Sequence, residues 1–334
     1  MSKASGALIV VAGGAGFIGS HLCAALLERG DEVICIDSLL TSRRSNLAAL
    51  RGRRGFSFVE ADIIDGLPVA ITARTNEITR IYNLACAASP PQYQADPEHT
   101  MLTNVLGTRN LLRLAEESGA RFLLTSTSEV YGDPDVHPQP ESYRGWVNCT
   151  GPRACYDEGK RAAEALTFDF GRMNRAQVRV ARLFNTYGPN MHPDDGRVVS
   201  NLLCQALSGN DITIYGEGEQ TRSFCYVSDT VAGLIALMES EIGGMEPVNL
   251  GNPDEMTVNQ LLGLVMELTG TSAAVVHRPL PVDDPRRRRP DISRAAQLLG
   301  WSPRVPLEEG LAATCQWFAE EIGATRNPAV VAAE

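Results

Sequence analysis

The sequence has 334 residues, of which 44% are hydrophobic and 21% charged, and its 30 glycines and 19 prolines are scattered along the chain. This composition predicts a globular chain of one large or two joined domains and excludes mini-proteins and the disordered, collagen-like and coiled-coil classes. Forty acidic against thirty basic residues give a net charge of −10, which disfavours nucleic acid and anionic membranes as partners.

The first half of the sequence alternates apolar runs with segments of helical spacing. Strands are predicted at residues 7–12, 32–36, 56–60, 80–85, 121–126 and 177–183, and helices at 17–29, 97–118 and 152–173. Asp96 and Pro97 are typical of a helix start, and Pro152 is expected in the first turn of its helix. The alternation predicts βαβ units, a parallel sheet and an α/β fold.

The alternation of apolar runs with helical segments becomes less regular after about residue 188. Short strands and helices are mixed there with proline-rich loops at 279–290, and a last helix is predicted near 307–322. We therefore expect residues 1–188 to form one domain, with an approximate boundary and some crossover. Residues 189–323 should form a smaller C-terminal lobe, and residues 324–334 a flexible tail.

The cysteines and the N-terminus both bear on the compartment. Eight cysteines are spread along the chain without a C-x-x-C pair, which is typical of a protein from a reducing environment. The first apolar run has only a few residues, whereas about 20 are needed to cross a bilayer. We expect a cytoplasmic protein without a targeting or membrane segment.

Glycines at positions 13, 16 and 19 follow the first strand directly and open the first helix. Such a loop lets the backbone approach a pyrophosphate and presents the N–H groups of a helix N-terminus to it. Asp37 ends the second strand, where a carboxylate can accept both ribose hydroxyls of an adenosine and repel a 2′-phosphate. We predict a Rossmann-type, doubly wound sheet that binds NAD rather than NADP; a purely structural glycine turn is the alternative.

Tyr156 and Lys160 are four residues apart, so a helix would project both from one face. An ammonium beside a phenol, reinforced by an oxidised nicotinamide, favours the phenolate and makes a general base for an alcohol that loses hydride. Thr127, at the end of a predicted core strand, would hydrogen-bond the reacting hydroxyl. The alternative is a solvated surface pair.

With these residues in place, the chain resembles the extended short-chain dehydrogenase/reductase superfamily and, more narrowly, the UDP-glucuronate decarboxylases, or UDP-xylose synthases. The resemblance runs from Leu8 to about Phe318. The segments that carry it include GGAGFIGSHL (13–22), SPPQY (89–93), STSEVYGDP (126–134), CYDEGKR (155–161), YGEGEQTRSFCYVSD (215–229) and RRPDI (288–292). The chain departs from the family pattern at Cys86, Ala87, Leu102 and Asn190, and Leu102 replaces a common lysine near the substrate.

The resemblance implies roles for individual residues. The implied catalytic residues are Thr127, Ser128, Glu129, Tyr156 and Lys160, with Ser128 and Glu129 acting in decarboxylation. The implied cofactor contacts are Gly13, Gly16, Phe17, Ile18, Gly19, Asp37, Asp62, Ile63, Leu84, Thr103, Tyr156, Lys160, Thr186, His192 and Arg197. The implied substrate contacts are Asn185, Arg222 and Arg288, and no metal is expected.

Several of these residues also have a plainer structural interpretation. Residues 286–289 are four arginines and could form a solvated loop, of which only Arg288 fits the motif. His192 could be an ordinary loop histidine, Asn185 could cap a turn, and Glu129 could be a buried structural acceptor. Arg222 stands between short apolar strands, where a guanidinium needs an anionic partner.

The resemblance implies the conversion of UDP-glucuronate to UDP-xylose and CO₂ through a 4-keto intermediate, with NAD recycled, by a homodimer. The same scaffold also serves sugar-nucleotide 4-epimerases and 4,6-dehydratases, which retain the carbon that decarboxylation expels. Two further hypotheses are an oxidative decarboxylase that releases the 4-keto product and a non-catalytic NAD-sensing scaffold.

Overall fold

The computed structural model describes residues 6–241 and 245–323. Seven parallel strands form its central sheet, in the order β11-β6-β5-β4-β1-β2-β3. These strands are β1 (Leu8–Ala12), β2 (Glu32–Asp37), β3 (Phe56–Glu60), β4 (Ile78–Asn83), β5 (Arg121–Thr127), β6 (Gln177–Leu183) and β11 (Val248–Leu250). The run 3-2-1-4-5-6 confirms the predicted Rossmann-type α/β fold.

Helices cover both faces of the sheet and build the C-terminal part. They are α1 (Phe17–Glu28), α2 (Val69–Thr72), α3 (Pro90–Ala95), α4 (Pro97–Leu102), α5 (Thr108–Ser118), α6 (Ala154–Arg172), α7 (Val198–Leu207), α8 (Val227–Glu239), α9 (Val258–Thr269), α10 (Ser293–Leu299) and α11 (Leu307–Glu321). None of the helices within the described residues is long and apolar enough to span a membrane.

Short strands in the C-terminal half form three small sheets. These strands are β7 (Thr186–Tyr187), β8 (Ile212–Tyr215), β9 (Thr221–Ser223), β10 (Cys225–Tyr226), β12 (Glu255–Thr257), β13 (Val275–Arg278) and β14 (Arg287–Arg288). In the sheet of β12, β9 and β14, Arg222 and Arg288 are direct partners on neighbouring parallel strands. Two residues that the sequence separates widely are therefore side by side.

Burial explains why the first strands are so apolar. In β1, Ile9 and Val11 belong to one buried cluster and Leu8 and Val10 to another, so that both faces of the strand are covered. A third cluster joins α7, α9 and α11 and forms the core of the C-terminal part. A strand covered on both faces must be continuously apolar, which is the pattern that predicted it.

The six predicted strands are present, and the helix boundaries differ in two places. The helix predicted at 97–118 is interrupted by a π-helical segment at Thr103–Gly107. Within this region Thr103 Oγ1 donates to His99 O and Asn104 Nδ2 to Thr100 O, so side chains compete with the regular backbone bonds. Helix α6 begins at Ala154, and Pro152 lies in the preceding turn rather than in the first helical turn. The expected tail at 324–334 lies outside the described residues.

Candidate active site

A cavity of about 400 Å³ opens at the carboxyl ends of the central strands, where α/β sheets commonly bind ligands. Sixteen of the predicted site residues line it: Gly13, Gly16, Phe17, Ile18, Gly19, Leu84, Thr127, Ser128, Glu129, Tyr156, Lys160, Asn185, Thr186, His192, Arg197 and Arg222. A smaller adjoining cavity is lined by Asp37, Asp62, Ile63 and Thr103, and it shares Gly13, Gly16 and Leu84 with the first. Residues predicted from separate motifs therefore meet in one connected site.

The glycine loop between β1 and α1 has no room for side chains. Gly13 has a φ of +76°, and a Cβ atom on Gly19 would lie 2.1 Å from Gly13 O. Gly16 precedes the first residue of α1, so the free N–H groups of that helix open beside the cavity wall. A backbone cradle at a helix N-terminus fits a pyrophosphate.

Asp37 lies at the carboxyl end of β2 and faces the smaller cavity. Its carboxylate accepts hydrogen bonds from Ala15 N at 2.9 Å and from Ser42 Oγ at 2.7 Å, which fixes its orientation. Arg43 is paired with Glu321 and Arg44 with Glu60. A buried anion with both nearby arginines paired fits the ribose of NAD better than a 2′-phosphate.

The other wall of the smaller cavity carries an acid–histidine pair. Asp62 Oδ2 lies 2.7 Å from His99 Nε2, and His99 Nδ1 lies 3.3 Å from Thr103 Oγ1. Thr103, the first residue of the π-helical segment, also lines this cavity. Together with the glycine loop and Asp37, these residues form a cradle that offers a helix N-terminus to a pyrophosphate and carboxylates to ribose hydroxyls.

Thr127, Tyr156 and Lys160 form a buried group at the end of β5. Tyr156 is 6% exposed and Lys160 4%, so the interpretation of a solvated surface pair is wrong. Lys160 Nζ donates to Thr125 O at 3.0 Å and lies 5.9 Å from the centre of the Tyr156 ring. Tyr93, which sequence reasoning missed, stacks on Tyr156 with the ring centres 4.9 Å apart.

The titration behaviour of this group differs in part from the expectation. In the chain itself, burial raises the pKa of the Tyr156 phenol above its ordinary value, Cys86 raises it further, and a hydrogen bond with Thr127 lowers it. Burial also lowers the pKa of Lys160. The expected shift of Tyr156 toward neutrality is therefore not produced by Lys160 alone, since desolvation opposes the phenolate.

Five charged side chains alternate in sign beside the larger cavity, and all but Arg288 line it. We name this group, in the order Arg288, Glu129, Arg153, Asp284 and Arg222, the charge chain. Glu129 pairs with Arg288 and, at 3.2 Å, with Arg153; Asp284 contacts Arg153 at 3.0 Å and Arg222 at 2.9 Å. Burial alone would raise the pKa of the Glu129 carboxyl, but Arg288 and Arg153 hold it below its ordinary value.

Arg288 lies behind the wall of the larger cavity rather than in a solvated loop. Its side chain is 3% exposed, and it donates to Ser128 Oγ at 3.3 Å and to Gly132 O at 3.0 Å. Arg286, by contrast, is 85% exposed and pairs with Asp133. The solvated-loop interpretation thus holds for Arg286 and is wrong for Arg288.

The remaining predicted residues line the cavity near β7. Thr186 Oγ1 lies 3.1 Å from Thr230 Oγ1, and the His192 ring accepts a hydrogen bond from Asp194 N. Arg197 is paired with Asp195. The backbone carbonyl of Asn185 accepts a hydrogen bond from Cys225 N at 2.9 Å, and Asn185 lines the cavity.

Sequence reasoning missed Arg153, Asp284 and Asp157 as well as Tyr93. Arg153 precedes Tyr156 by three residues, and this spacing on one helical turn was a usable signal. Asp157 is buried beside Tyr156, and burial together with the Glu129 carboxylate raises its pKa to about 8. No group of three or more potential metal ligands occurs in residues 6–241 and 245–323.

Comparisons with known proteins show which proteins the chain is similar to. The model of the NAD dependent epimerase/dehydratase family matches residues 9–251. UDP-glucuronic acid decarboxylase 1 of Xenopus tropicalis is 50% identical over 314 residues, which are 94% of this chain and 72% of that protein. UDP-glucuronic acid decarboxylase 1 of Arabidopsis thaliana is 52% identical over 303 residues, which are 91% of this chain and 68% of that protein.

Solved structures of related enzymes share the fold over nearly the whole chain. The UDP-glucose 4-epimerase of Thermotoga maritima, solved with UDP-glucose, is 31% identical with a TM-score of 0.84 and covers 94% of this chain and 99% of its own. The UDP-glucuronic acid 4-epimerase of Bacillus cereus, in complex with UDP-glucuronic acid and NAD, is 28% identical with a TM-score of 0.84 and the same coverage.

Proposed function

The chain belongs to the NAD dependent epimerase/dehydratase family, and on that premise we propose that it decarboxylates UDP-glucuronate to UDP-xylose and CO₂. The observation that carries the proposal is the meeting, in one cavity, of the buried Thr127, Tyr156 and Lys160 with Glu129 of the charge chain. The first group suits oxidation of an alcohol, and the second suits the handling of a carboxylate and a proton.

The chemical difficulty is that a carboxylate on a saturated carbon has no acceptor for the electrons that CO₂ leaves behind. A ketone at C4, β to the carboxylate, accepts them as an enolate. The glycine loop, Asp37 and the smaller cavity would hold NAD, which would supply a reversible hydride acceptor for C4 and a cationic ring that favours the Tyr156 phenolate.

The residues of the chain move the protons. Tyr156 takes the proton of the C4 hydroxyl and returns it when the ketone is reduced again. Thr127 hydrogen-bonds with Tyr156 and orients the reacting hydroxyl, while Lys160, fixed by Thr125 O, stabilises the phenolate. Because these side chains are buried, their dipoles act in a water-poor site where they are strongest.

The charge chain serves the second half of the reaction. Loss of CO₂ leaves an enolate that must gain a proton at C5, so the whole reaction consumes one proton from solvent. Glu129 and Ser128 orient the carboxylate and manage this proton, with Glu129 fixed by Arg288 and Arg153. Arg222 and Asn185, which line the cavity, bind the nucleotide sugar, and Arg222 offers a cation to its anionic groups.

The experiment is product analysis from UDP-glucuronate incubated with the purified protein and NAD⁺. We expect CO₂ release and a product lighter than the substrate by the mass of CO₂, with no net accumulation of NADH, and no product from Tyr156→Phe. A 4-keto product with stoichiometric NADH would instead indicate an oxidative decarboxylase.

A 4-epimerase acting on the same substrate is the second candidate. The structural similarity to a UDP-glucuronic acid 4-epimerase that was solved with its substrate favours it as an alternative. Its product would have the mass of the substrate and an inverted C4, which proton NMR of the recovered nucleotide sugar distinguishes from xylose. A product of unchanged mass would overturn the decarboxylase proposal.

We also propose the organisation and setting of the protein. Residues 1–188 mainly hold NAD and residues 189–323 mainly hold the nucleotide sugar, with β11 crossing into the central sheet. We propose a cytoplasmic homodimer that contacts neither nucleic acid nor membrane, in keeping with the net charge of −10. Light scattering of the purified protein tests the dimer.

A further inference from the structure

Arg222 and Arg288, two arginines of the charge chain, lie side by side although their positive charges repel each other. Arg222 on β9 and Arg288 on β14 are direct partners in neighbouring strands, and like charges in that position destabilise a sheet. Both are buried, with 10% and 3% of their side chains exposed. Carboxylates must therefore offset the repulsion, and each arginine has one: Glu129 for Arg288 and Asp284 for Arg222.

Asp284 lies in the loop between β13 and β14 and lines the larger cavity. One of its carboxylate oxygens contacts Arg222 Nη2 at 2.9 Å, and the other contacts Arg153 Nη1 at 3.0 Å. It therefore joins two guanidiniums from different elements, since Arg222 is on β9 and Arg153 precedes α6. A carboxylate shared in this way fixes both arginines relative to each other.

Arg153 connects Asp284 to Glu129. Its Nη1 donates to Asp284 and its Nη2 donates to Glu129 Oε2 at 3.2 Å, and its side chain is 7% exposed. Without the Asp284 carboxylate, Arg153 would keep Glu129 as a carboxylate partner, but its Nη1 would exchange an ion pair at 3.0 Å for a longer bond of 3.4 Å to the backbone carbonyl of Asp283. Glu129 would then be held less firmly beside the group that we assign to the C4 oxidation.

We propose that Asp284 is a positioning residue for the decarboxylation step, acting through Arg153 on Glu129. This inference rests on the proposed function for Glu129 and Arg222. Arg222 keeps its charge and its bond to Thr221 O at 2.8 Å without Asp284, so substrate binding depends on Asp284 much less than turnover does.

The adjacent residue provides a matched control. Asp283 belongs to the same loop, but its carboxylate accepts from Asn148 Nδ2 at 3.1 Å instead of from an arginine of the charge chain. Asp283→Asn and Asp284→Asn each remove one negative charge from the same loop. A difference between the two variants therefore reports the contacts of Asp284 and not the charge or rigidity of the loop.

The experiment measures kcat and KM with UDP-glucuronate, and the Kd of UDP by calorimetry, for the holoenzyme and both variants. For Asp284→Asn we expect kcat to fall about tenfold or more while KM and the UDP Kd stay within about threefold, since a small misplacement of a catalytic group lowers the rate strongly. Asp283→Asn should keep kcat within about twofold, because its carboxylate has no contact with the charge chain.

Two results would overturn the inference. The first is an unchanged kcat in Asp284→Asn, which together with tighter binding would make Asp284 a competitor of the substrate anion. The second is an equal loss of kcat in Asp283→Asn. Failure of the proposed function is a separate result, namely no CO₂ from the wild type. In that case crystal structures of the wild type and Asp284→Asn still decide the positioning role. We expect the Arg153 guanidinium and the Glu129 carboxylate to be displaced in the variant, and positions identical to those in the wild type would contradict the proposal.

Discussion

The cofactor cradle and the charge chain are built in opposite ways. The cradle is mainly backbone: a loop of consecutive residues, 13–19, whose glycines leave no room for a Cβ, with Asp37 at the end of the neighbouring strand. The charge chain is entirely side chain, and its members come from the turn after β5, the residue before α6, β9, β14 and the loop between β13 and β14. One is a local feature of the chain, and the other exists only in the folded protein.

This structural difference between the cradle and the charge chain matches a difference in the chemistry that we propose for them. A backbone cradle serves any enzyme that needs the same dinucleotide, so it carries no information about the substrate. In the proposed function the charge chain decides what happens to the oxidised sugar, because the half-buried Glu129 carboxylate lines the cavity and is held by Arg288 and Arg153. The comparison predicts that variants of the two regions fail in different steps.

Tyr156→Phe should have the largest effect on kcat, because in the proposed function Tyr156 takes the C4 proton in the oxidation that precedes decarboxylation. Loss of the phenol oxygen should lower kcat by about 100-fold or more, in line with general-base contributions. The UDP Kd, measured by calorimetry, should stay near the wild-type value. Turnover near the wild-type rate would mean that another group takes the C4 proton.

Arg222→Ala tests the substrate-binding end of the charge chain. Loss of a charge-assisted contact in a buried site should weaken UDP-sugar binding by about 2 kcal/mol, or about 30-fold. The matched control is Arg286→Ala, since that arginine is 85% exposed and pairs with Asp133. An unchanged Kd in Arg222→Ala would make Arg222 a structural residue.

Gly19→Ala tests the cradle alone. Its Cβ would lie 2.1 Å from Gly13 O, so the loop must shift and NAD affinity should fall about tenfold. Gly263→Ala is the control, because a Cβ at this position in α9 meets nothing within 4 Å and should stabilise the helix by about 1 kcal/mol. Equal NAD affinity in Gly19→Ala and the wild type, by fluorescence titration, would refute the tight-loop argument.

The smallest expected effect is the difference in stabilisation of the protein by NAD⁺ and by NADP⁺. Protein freed of nucleotide should gain a larger increase in Tm from NAD⁺ than from NADP⁺ at equal concentration, because Asp37 repels a 2′-phosphate. Thermal unfolding followed by circular dichroism measures this difference. An equal or larger shift with NADP⁺ would make Arg43 or Arg44 a phosphate ligand.

The cradle could be predicted from the sequence because its signal is contiguous. Gly13, Gly16 and Gly19 directly follow an apolar strand, and both their turn and their helix N-terminus are local consequences of that order. The predicted strands inside the sheet are apolar because the sheet is covered on both faces, whereas the edge strand β3 is only partly buried. The interruption after Leu102 was not predictable in this way, since it depends on side-chain bonds such as that of Asn104 to Thr100 O.

The charge chain could be predicted only in part. Glu129, Arg222 and Arg288 follow from the family resemblance, whereas Arg153 had only its spacing from Tyr156 as a signal and Asp284 had none. Arg153 is 24 residues from Glu129 and 131 from Asp284, and the fold alone brings them together. Arg288 shows the same limit: four successive arginines look solvated until β14 buries one of them beside Ser128.

The central claim is that oxidation at C4 and loss of CO₂ depend on different groups, and single-turnover kinetics of Glu129→Gln test it most directly. Absorbance of reduced cofactor reports the first step, and release of CO₂ from UDP-glucuronate reports the second. We predict that the variant forms reduced cofactor at close to the wild-type rate, while its CO₂ release slows by about 100-fold. Equal slowing of both signals, or CO₂ release at the wild-type rate, would contradict the division of labour between the two regions.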